Sequence, residues 1–471
     1  MKFLFACIYA DTPHFETELE LMADLLSIGH EVHVLRCTSQ LAACIKNPLH
    51  LPSRCLTCVS KIDAGLRQIS SPRLTVETLP PFPLEPRLPA RFADADALKH
   101  YVIDGANLGR GVYSSLCTRL DKNTRFDTVA HAVDVRRELE SAWALFDATR
   151  RALAREKPAA VFLFNGRFAT AYAVLEASRL AGVDYYTHER GGSADRYMLR
   201  KNALPHNLAA HWRDVADVWA AGGDDKDARG RAWFAGRRAG SEDSWLSFTK
   251  SQSVGKLPDG FDTRKHNIAV FNSTMEEYAS VVDWESPFYG DEALGMKRIV
   301  ESLAGDPNIH IYLRVHPNLK NIPRAGNYQL ALYSELERTA PHLTIIWPES
   351  PIHTYALLDA SDVTLTFGST VGAEACFWRK PSVLGGRAIY EPLDCSYVPQ
   401  SHEELLALVR STPAPKPIDG AIRYGYWETV RGTLHRRYHA TGLFSGEFQG
   451  RVNRPRLAAQ LASSVLWRLG E

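Results

Sequence analysis

Arg314 and His316 form the motif with the clearest chemistry in this chain. They lie in the segment Arg314-Val315-His316-Pro317-Asn318, directly after a run of apolar residues. Pro317 stops a strand at this point because proline has no backbone N–H to donate. A guanidinium fork and an imidazole at the end of a strand suit a phosphate or a diphosphate. The alternative is a structural turn that carries a solvated arginine.

A second motif, Phe367-Gly368-Ser369-Thr370-Val371-Gly372-Ala373-Glu374-Ala375, has the order strand, small residues, helix. Ser369 or Thr370 is expected to cap that helix, whose first N–H groups and dipole favour an anion. Glu374, one turn further on, is predicted to accept hydrogen bonds from ribose hydroxyls. The alternative is a well-capped helix with a surface glutamate.

Two further residues of the second half are weaker candidates for the same ligand. Ser273 follows the strand predicted at 267–271, where its hydroxyl either contacts phosphate or caps the next element. Tyr355 lies at the start of a predicted helix, where it is a candidate for contact with a nucleotide base.

The first half offers candidates for acid–base chemistry. His14 and Glu18 are four residues apart, on one face near the start of a predicted helix, where a histidine–carboxylate pair suits a general base. Glu189, expected in a loop after a strand, is the third candidate base. The alternative for all three is a set of surface charges.

Polar side chains around these candidates are predicted to contact an acceptor substrate. They are expected in loops after two strands, and such loops commonly carry binding residues. The alternative is an ion-paired surface turn. The four residues are Asn165, Arg167, His188 and Arg190.

Four of the eight cysteines are clustered: Cys37, Cys44, Cys55 and Cys58. Clustered thiols in a reducing compartment suit a structural zinc ion or an iron–sulfur cluster. The intervals of six, ten and two residues match neither a zinc ribbon nor a ferredoxin. Disulfides and unligated thiols therefore stay open as alternatives.

The elements that must position these residues alternate along the chain. Strands are predicted at 2–8, 31–35, 159–164, 183–187, 267–271, 310–315, 343–347, 363–367 and 382–384, with helical segments between them. Alternation of this kind predicts two doubly wound α/β halves with parallel sheets, and ligands at the carboxyl ends of the strands. We expect an N-terminal domain over 1–255 that includes a proline-rich insertion, a second over 266–420, and a segment over 421–471 that packs back on the first domain.

Composition excludes some classes of function. Lys plus Arg (55) minus Asp plus Glu (54) leaves a net charge of +1, which argues against nucleic acid as a partner. No apolar run has the length of a membrane span, and residues 1–10 resemble a buried strand more than a signal peptide. We therefore expect a cytoplasmic protein. Aromatic and basic residues at 424–427 and 434–439 predict either peripheral contact with the inner membrane or aromatic packing, and packing is favoured.

Several of these motifs together resemble the GT-B glycosyltransferases of bacterial capsule and lipopolysaccharide assembly. A His-Pro motif followed by a Ser/Thr motif also occurs in GT-B enzymes similar to bacterial sialyltransferases and glycerophosphotransferases. One departure is that Asp11–His14 stands where many GT-B enzymes have a glycine-rich loop. The matching segments are His14-Phe15-x-x-Glu18-Leu19-Glu20-Leu21, Gly29-His30-Glu31-Val32, the four-cysteine segment, His188-Glu189-Arg190-Gly191, Arg314-x-His316-Pro317-Asn318, Thr366–Ala375 and Tyr424-Gly425-Tyr426.

The resemblance implies two Rossmann-like domains that face a cleft and transfer of a sugar without a catalytic cofactor. The second domain would bind a nucleotide-sugar donor, and the first a glycan or lipid-linked glycan acceptor. Two other functions stay open: a nucleotide-sugar epimerase of the same fold, and a non-catalytic subunit of a polysaccharide assembly complex. The donor residues implied are Arg314, His316, Ser369, Thr370 and Glu374.

Overall fold

The computed structural model describes residues 1–81, 87–89, 91–242 and 246–468, which form two compact α/β units. Unit 1 consists of Met1–Leu120, Arg125–Pro205 and the chain from Gly432 onward. Unit 2 consists of Asp121–Thr124 and His206–Arg431. Part of the proline-rich insertion predicted in the first half, residues 82–86 and 90, lies outside the described residues.

The strands position the candidate site residues and alternate with helices in both units. In chain order within the described residues they are β1 (Lys2–Cys7), β2 (Glu31–Arg36), β3 (Leu74–Thr78), β4 (Ala160–Phe164), β5 (Tyr185–Arg190), β6 (Arg196–Lys201), β7 (His266–Phe271), β8 (Ile309–Arg314), β9 (Leu343–Ile346), β10 (Val363–Thr366), β11 (Ser382–Leu384), β12 (Thr433–Leu434), β13 (Tyr438–Gly442) and β14 (Ser445–Phe448).

The helices follow the same alternation. In the described part of the chain they are α1 (His14–Ser27), α2 (Pro52–Gln68), α3 (Ala95–Lys99), α4 (Leu108–Arg119), α5 (Ala132–Glu156), α6 (Ala169–Leu180), α7 (Leu208–Ala221), α8 (Lys226–Ala239), α9 (Glu292–Leu303), α10 (Tyr328–Thr339), α11 (Thr354–Ala360), α12 (Val371–Phe377), α13 (His402–Arg410), α14 (Asp419–Val430) and α15 (Leu457–Arg468).

The sheet of unit 1 has the order β12-β6-β5-β4-β1-β2-β3. The five neighbouring strands β5, β4, β1, β2 and β3 run parallel to one another. At the other edge of the sheet, β6 and β12 are antiparallel to their neighbours. The interior strand β1 is a continuous apolar run, as expected for a strand buried on both faces. Its Phe5 pairs with Phe162 of β4, and the two rings stack with centroids 4.8 Å apart.

The sheet of unit 2 has the order β11-β10-β7-β8-β9, and all of its pairings are parallel. Ile268, Val270, Ile311 and Leu365, from its three inner strands, are fully buried. Counted from the first strand of each unit, the parallel strands of both sheets have the order 3-2-1-4-5 of a Rossmann fold. The predicted fold class, two Rossmann-like units with doubly wound parallel sheets, is confirmed.

The division between the units differs from the predicted boundary near residue 255, because it falls at Pro205/His206. The residues between this division and the predicted boundary contain α8, which crosses α14 where both helices have glycine. A Cβ on Gly230 would lie 2.3 Å from the Ile422 carbonyl oxygen, so the two backbones are in close contact. Residues 206–255 and α14 therefore belong to unit 2, and only the chain from Gly432 onward joins unit 1.

The aromatic residues considered for membrane contact are buried instead. Tyr424, Tyr426 and Trp427 lie inside unit 2, and Tyr438 is buried in unit 1. Their packing corresponds to the favoured alternative in the sequence analysis. Among the residues described, none of the helices combines the length and the apolar character that a membrane span requires.

Candidate functional site

The candidate donor residues of unit 2 lie near the carboxyl ends of adjacent parallel strands. Strands β10, β7 and β8 are neighbours, and the Ser369, Ser273 and His316 segments follow them. Asn272 joins two of these segments, since its side-chain oxygen accepts a hydrogen bond from the His316 N–H at 2.7 Å. The sheet thus brings three separate sequence motifs to one edge, as the fold class predicts.

Arg314, the last residue of β8, has an unused hydrogen-bond donor. Its side chain is 4% exposed, and Nη1 donates to the Ser350 carbonyl at 3.2 Å. Nε is buried and has no hydrogen-bond partner within the described part of the chain. Burial lowers the pKa of Arg314 to about 10, so the side chain is still a cation at neutral pH. A desolvated cation with a free N–H is a strong site for an anion.

His316 begins the short turn Pro317–Leu319 and has a defined tautomer. Its Nδ1 accepts a hydrogen bond from the Asn318 N–H at 3.1 Å, so we assign the proton of the neutral ring to Nε2. Burial of the ring, with the positive charges of Lys122 and Arg314, lowers its pKa to about 4. His316 is therefore a neutral donor at pH 7 and can bind a phosphate oxygen through Nε2–H.

The Ser-Thr motif is arranged differently from its prediction. Ser369 Oγ accepts a hydrogen bond from the Val371 N–H at 3.4 Å, but the Thr370 hydroxyl donates to Glu374 Oε1 at 3.1 Å and makes no cap. Glu374 is 2% exposed, and its other oxygen accepts a hydrogen bond from the Tyr355 hydroxyl. A buried carboxylate needs such donors. The predictions of a ribose contact at Glu374 and a base contact at Tyr355 therefore do not fit, because these buried groups bind each other.

Ser273 leads to a residue that the sequence analysis missed. Its N–H and hydroxyl both donate to Glu292 in the first turn of α9, with Oγ 2.6 Å from Oε2. Gln329 Nε2 donates to the same carboxylate at 3.0 Å, and the Tyr333 hydroxyl does so at 3.4 Å. Burial raises the pKa of Glu292 to about 8, although the hydrogen bonds from Ser273 and Tyr333 oppose the shift. A glutamate in a first helical turn is ordinarily explained by the helix dipole, so the sequence carried no distinct signal.

In unit 1, His14 lies at the start of α1 and within reach of Glu189. Its Nε2 is 3.6 Å from Glu189 Oε1, and its ring packs on Phe164 with centroids 3.9 Å apart. Asn165 Nδ2 donates to the other oxygen of Glu189 at 2.8 Å. Burial, helped by the nearby His188 and the positive charge of Arg190, lowers the pKa of His14 well below its usual value. The imidazole is therefore unprotonated at neutral pH.

Glu18 does not form the predicted pair with His14. Its Oε1 instead lies 3.5 Å from Nε2 of His188, and both side chains are buried. His188 lies inside β5 (Tyr185–Arg190) rather than in a loop after it, so no part of its side chain is exposed to an acceptor. Beside this pair, the Tyr9 hydroxyl is buried without a hydrogen-bond partner in the described residues.

The two arginines predicted to bind an acceptor are held inside unit 1. Arg190 lies on β5, where its Nη1 donates to the Leu443 carbonyl and its guanidinium covers the Phe444 ring at 4.7 Å. Arg167 Nη1 donates to Ser114 Oγ at 3.2 Å. Both side chains are less than 10% exposed. Of the predicted acceptor residues, Asn165 and Arg190 contact the His14–Glu189 pair. The Asn165 side chain donates to one oxygen of Glu189, and the Arg190 backbone N–H donates to the other at 2.9 Å.

The four clustered cysteines are free thiols, and the structure does not gather them as a set of metal ligands. Among the described residues, no three of them have their sulfur atoms within 4.8 Å of one another. Asn47 Nδ2 donates to the sulfur of Cys55, and the Ser39 N–H donates to that of Cys37, so these thiols have separate partners. Burial raises the pKa of both Cys44 and Cys58 to about 12.

Comparison with known proteins gives likenesses of fold at low identity. No family model and no curated protein matches the chain. Among solved structures it is similar to KpsC, a beta Kdo 2,7 transferase of Thermosulfurimonas dismutans, at 15% identity over 69% of this chain and 90% of that one, with a TM-score of 0.36. For a UDP-GlcNAc 2-epimerase of Neisseria meningitidis bound to UDP-GlcNAc, identity is 10% over 99% and 100% of the chains, with a TM-score of 0.27.

The calicheamicin glycosyltransferase CalG4 is also similar, at 13% identity over 100% of this chain and 99% of that one, with a TM-score of 0.27. Because each TM-score lies below 0.5, we base the functional proposal on the residues of this chain.

Proposed function

We propose that this protein transfers a sugar from a nucleotide-sugar donor to a hydroxyl of a surface-glycan acceptor. The observation that carries the proposal is the buried Arg314 with its unused Nε–H, near the neutral donor His316, where a Rossmann-like sheet ends. In such sheets, ligands bind at the carboxyl ends of the strands. Arg314, at the end of β8, and His316, just after it, are two hydrogen-bond donors that suit the diphosphate or phosphate of a nucleotide sugar.

The proposed reaction uses His14 as the general base. The acceptor hydroxyl loses its proton to the imidazole, and its oxygen forms a bond to the anomeric carbon of the donor. The bond from that carbon to the phosphate oxygen breaks, and the nucleotide leaves with the electron pair. Arg314 and His316 stabilise the charge that develops on the leaving phosphate. Glu189, 3.6 Å from His14, stabilises the imidazolium that forms.

The finer parts of the proposal follow from the resemblance. The acceptor is a glycan or a lipid-linked glycan of capsule, lipopolysaccharide or a related polymer. The reaction needs no bound cofactor, and a structural zinc ion or iron–sulfur cluster at the cysteine segment would have no part in it. Independently of the resemblance, we propose that the enzyme works in the cytoplasm, peripheral to the inner membrane.

Thermal unfolding in the presence of nucleotides tests the donor site. UDP, CMP, CDP, GDP and TDP are added singly, and a nucleotide at 100 times its dissociation constant adds about 2.7 kcal/mol to the free energy of unfolding. We expect nucleotides with one particular base to raise the melting temperature of the wild type. The same nucleotides should leave the melting temperature of Arg314→Ala unchanged. The matched control is Arg298→Ala, an exposed arginine of unit 2 whose nearest carboxylate is 3.5 Å away.

Turnover then separates transfer from the alternatives. Release of nucleotide that depends on an added glycan acceptor supports transfer. Consumption of the nucleotide sugar without nucleotide release would instead indicate an epimerase. The assignment of the donor site is wrong if no nucleotide stabilises the wild type. It is also wrong if a nucleotide raises the melting temperature of Arg314→Ala as much as that of the wild type.

A further inference from the structure

Helix α15 (Leu457–Arg468) has one face packed on unit 1 and another that is apolar and exposed. The packed face lies against α2, where the Arg456 N–H donates to Ser60 Oγ at 2.7 Å. Ala459, Ser463 and Leu466 recur at helical spacing on this face, and Ala459 is buried. These contacts fix the rotation of the helix about its axis.

The opposite face carries large apolar side chains in water. Leu457, Leu461 and Val465 are spaced four residues apart and are 70%, 60% and 55% exposed. Trp467, at the end of the helix, is 74% exposed. A single exposed leucine needs no explanation, but a row of three along one helix with a nearby tryptophan marks an interaction surface.

The residues just before this helix are basic. Arg451, Arg454 and Arg456 are all exposed. No acidic residue occurs between Glu447 and Glu471, so this charge is not balanced within the segment. The surface therefore combines an apolar helical face with a cluster of positive charge, which we call the α15 surface.

We propose that the α15 surface binds the face of an anionic lipid bilayer. An amphipathic helix lies in the plane of the interface, with its apolar side chains among the acyl chains and its basic neighbours at anionic headgroups. A second copy of this chain fits less well, because a two-fold contact would bring the same arginines together from both copies. The proposal does not depend on the donor site, so either can fail alone.

Sedimentation of the full-length protein with vesicles tests this surface. We expect partition onto phosphatidylcholine vesicles that contain phosphatidylglycerol to exceed partition onto phosphatidylcholine alone by about tenfold or more, and to fall with added salt. The variant Leu461→Ser/Val465→Ser should lose about tenfold in partition because it removes exposed apolar groups only. The variant Arg451→Gln/Arg454→Gln/Arg456→Gln should lose the preference for anionic vesicles.

Matched controls change the same chemistry elsewhere in the chain. Val254→Ser removes an apolar side chain of unit 2 that is 87% exposed, and Arg264→Gln/Arg298→Gln/Arg410→Gln removes three exposed arginines of unit 2. Both should bind vesicles like the wild type. Equal binding by all five proteins would overturn the proposal, as would absence of binding to anionic vesicles. A dimer in sedimentation velocity that the Leu461→Ser/Val465→Ser variant abolishes, without vesicle binding, would assign the surface to a second copy.

Discussion

His14 combines two properties that a general base needs at neutral pH. Its surroundings lower its pKa, so the ring is ready to accept a proton. Its Nε2 lies 3.6 Å from a carboxylate that Asn165 orients, so the protonated ring gains a partner once it forms. This division of roles resembles that of other histidine–carboxylate pairs, in which the carboxylate orients the ring and stabilises its charge.

The pH dependence of kcat/KM tests the assignment of His14. Because its pKa is lowered, we expect the rate to stay constant from pH 7.5 down to about 6.5, the usual histidine pKa, and to fall only in more acid solution. His14→Gln should lower kcat by roughly 10²–10⁴-fold. His100→Gln, an exposed histidine of the same unit, should leave the profile unchanged. An acid limb above pH 6.5 would contradict the assignment.

Glu189 should act through His14. We expect Glu189→Gln to lower kcat by roughly tenfold or more with little change in KM, since the loss falls on the transition state. Added to His14→Gln, the same change should cost much less, because the carboxylate then has no imidazolium to stabilise. Kinetics of the two single variants and the double variant measure this coupling. Fully additive losses would indicate independent roles.

Helices α8 and α14 are in contact through glycine, and this contact explains why unit 2 begins earlier than the sequence predicted. A Cβ on Gly425 would lie 2.5 Å from the Gly230 carbonyl oxygen and 2.7 Å from the Phe234 ring. The two backbones leave no room for a methyl group between them. At this contact, glycine permits close packing of two helices. In a sequence alone, glycine ordinarily indicates a turn or a linker.

Gly425→Ala should therefore destabilise unit 2 even though alanine favours a helix. We expect a loss of about 1–3 kcal/mol from overpacking. For a unit of this size, each kcal/mol lowers the melting temperature by roughly 2–4 °C. Gly305→Ala is the control, because a Cβ at that position meets no other atom within 4 Å. An unchanged melting temperature for Gly425→Ala would show that the helices adjust freely.

Several strands could be predicted because their signal is local. β11 lies where the sequence predicted it, and β1 and β8 differ from prediction by one residue at one or both ends, since each is a short apolar run. His188 and Arg190 were expected in a loop because polar residues give no strand signal. Their burial in β5 depends on partners far along the chain, Glu18 and the Leu443 carbonyl. His14 and Glu18 likewise pair with residues far along the chain, Glu189 and His188, rather than with each other.

At the scale of the whole molecule, two partly buried groups give stability opposite dependences on pH. His316 has a folded-state pKa of about 4, below its unfolded value, so its contribution is complete above pH 6.5 and is lost as pH falls towards 4. That loss amounts to about 3 kcal/mol. Glu292 has a folded-state pKa of about 8, above its unfolded value, so its contribution is present below pH 4.3 and is lost as pH rises through 8.

Melting temperatures of the wild type and two variants from pH 4 to pH 9 separate these effects. We expect His316→Gln to flatten the decline on the acid side and Glu292→Gln to flatten the decline on the alkaline side. The comparison is between slopes, so it does not depend on the absolute stability of either variant. A parallel shift of the whole curve by either substitution would contradict the titration assigned to that residue.

Unit 1 is discontinuous in sequence, and its last part holds the partners of a buried charge in its first helix. Glu20 of α1 is 1% exposed, and its carboxylate accepts hydrogen bonds from the N–H groups of Arg436, Arg437 and Tyr438. On the ribosome, all of unit 2 is made before these donors emerge. A nascent first unit therefore lacks the hydrogen-bond partners of Glu20 until synthesis is nearly complete. For the same reason, we expect a recombinant 1–205 fragment to aggregate, whereas joining residues 432–471 to it should restore a soluble, cooperatively melting unit.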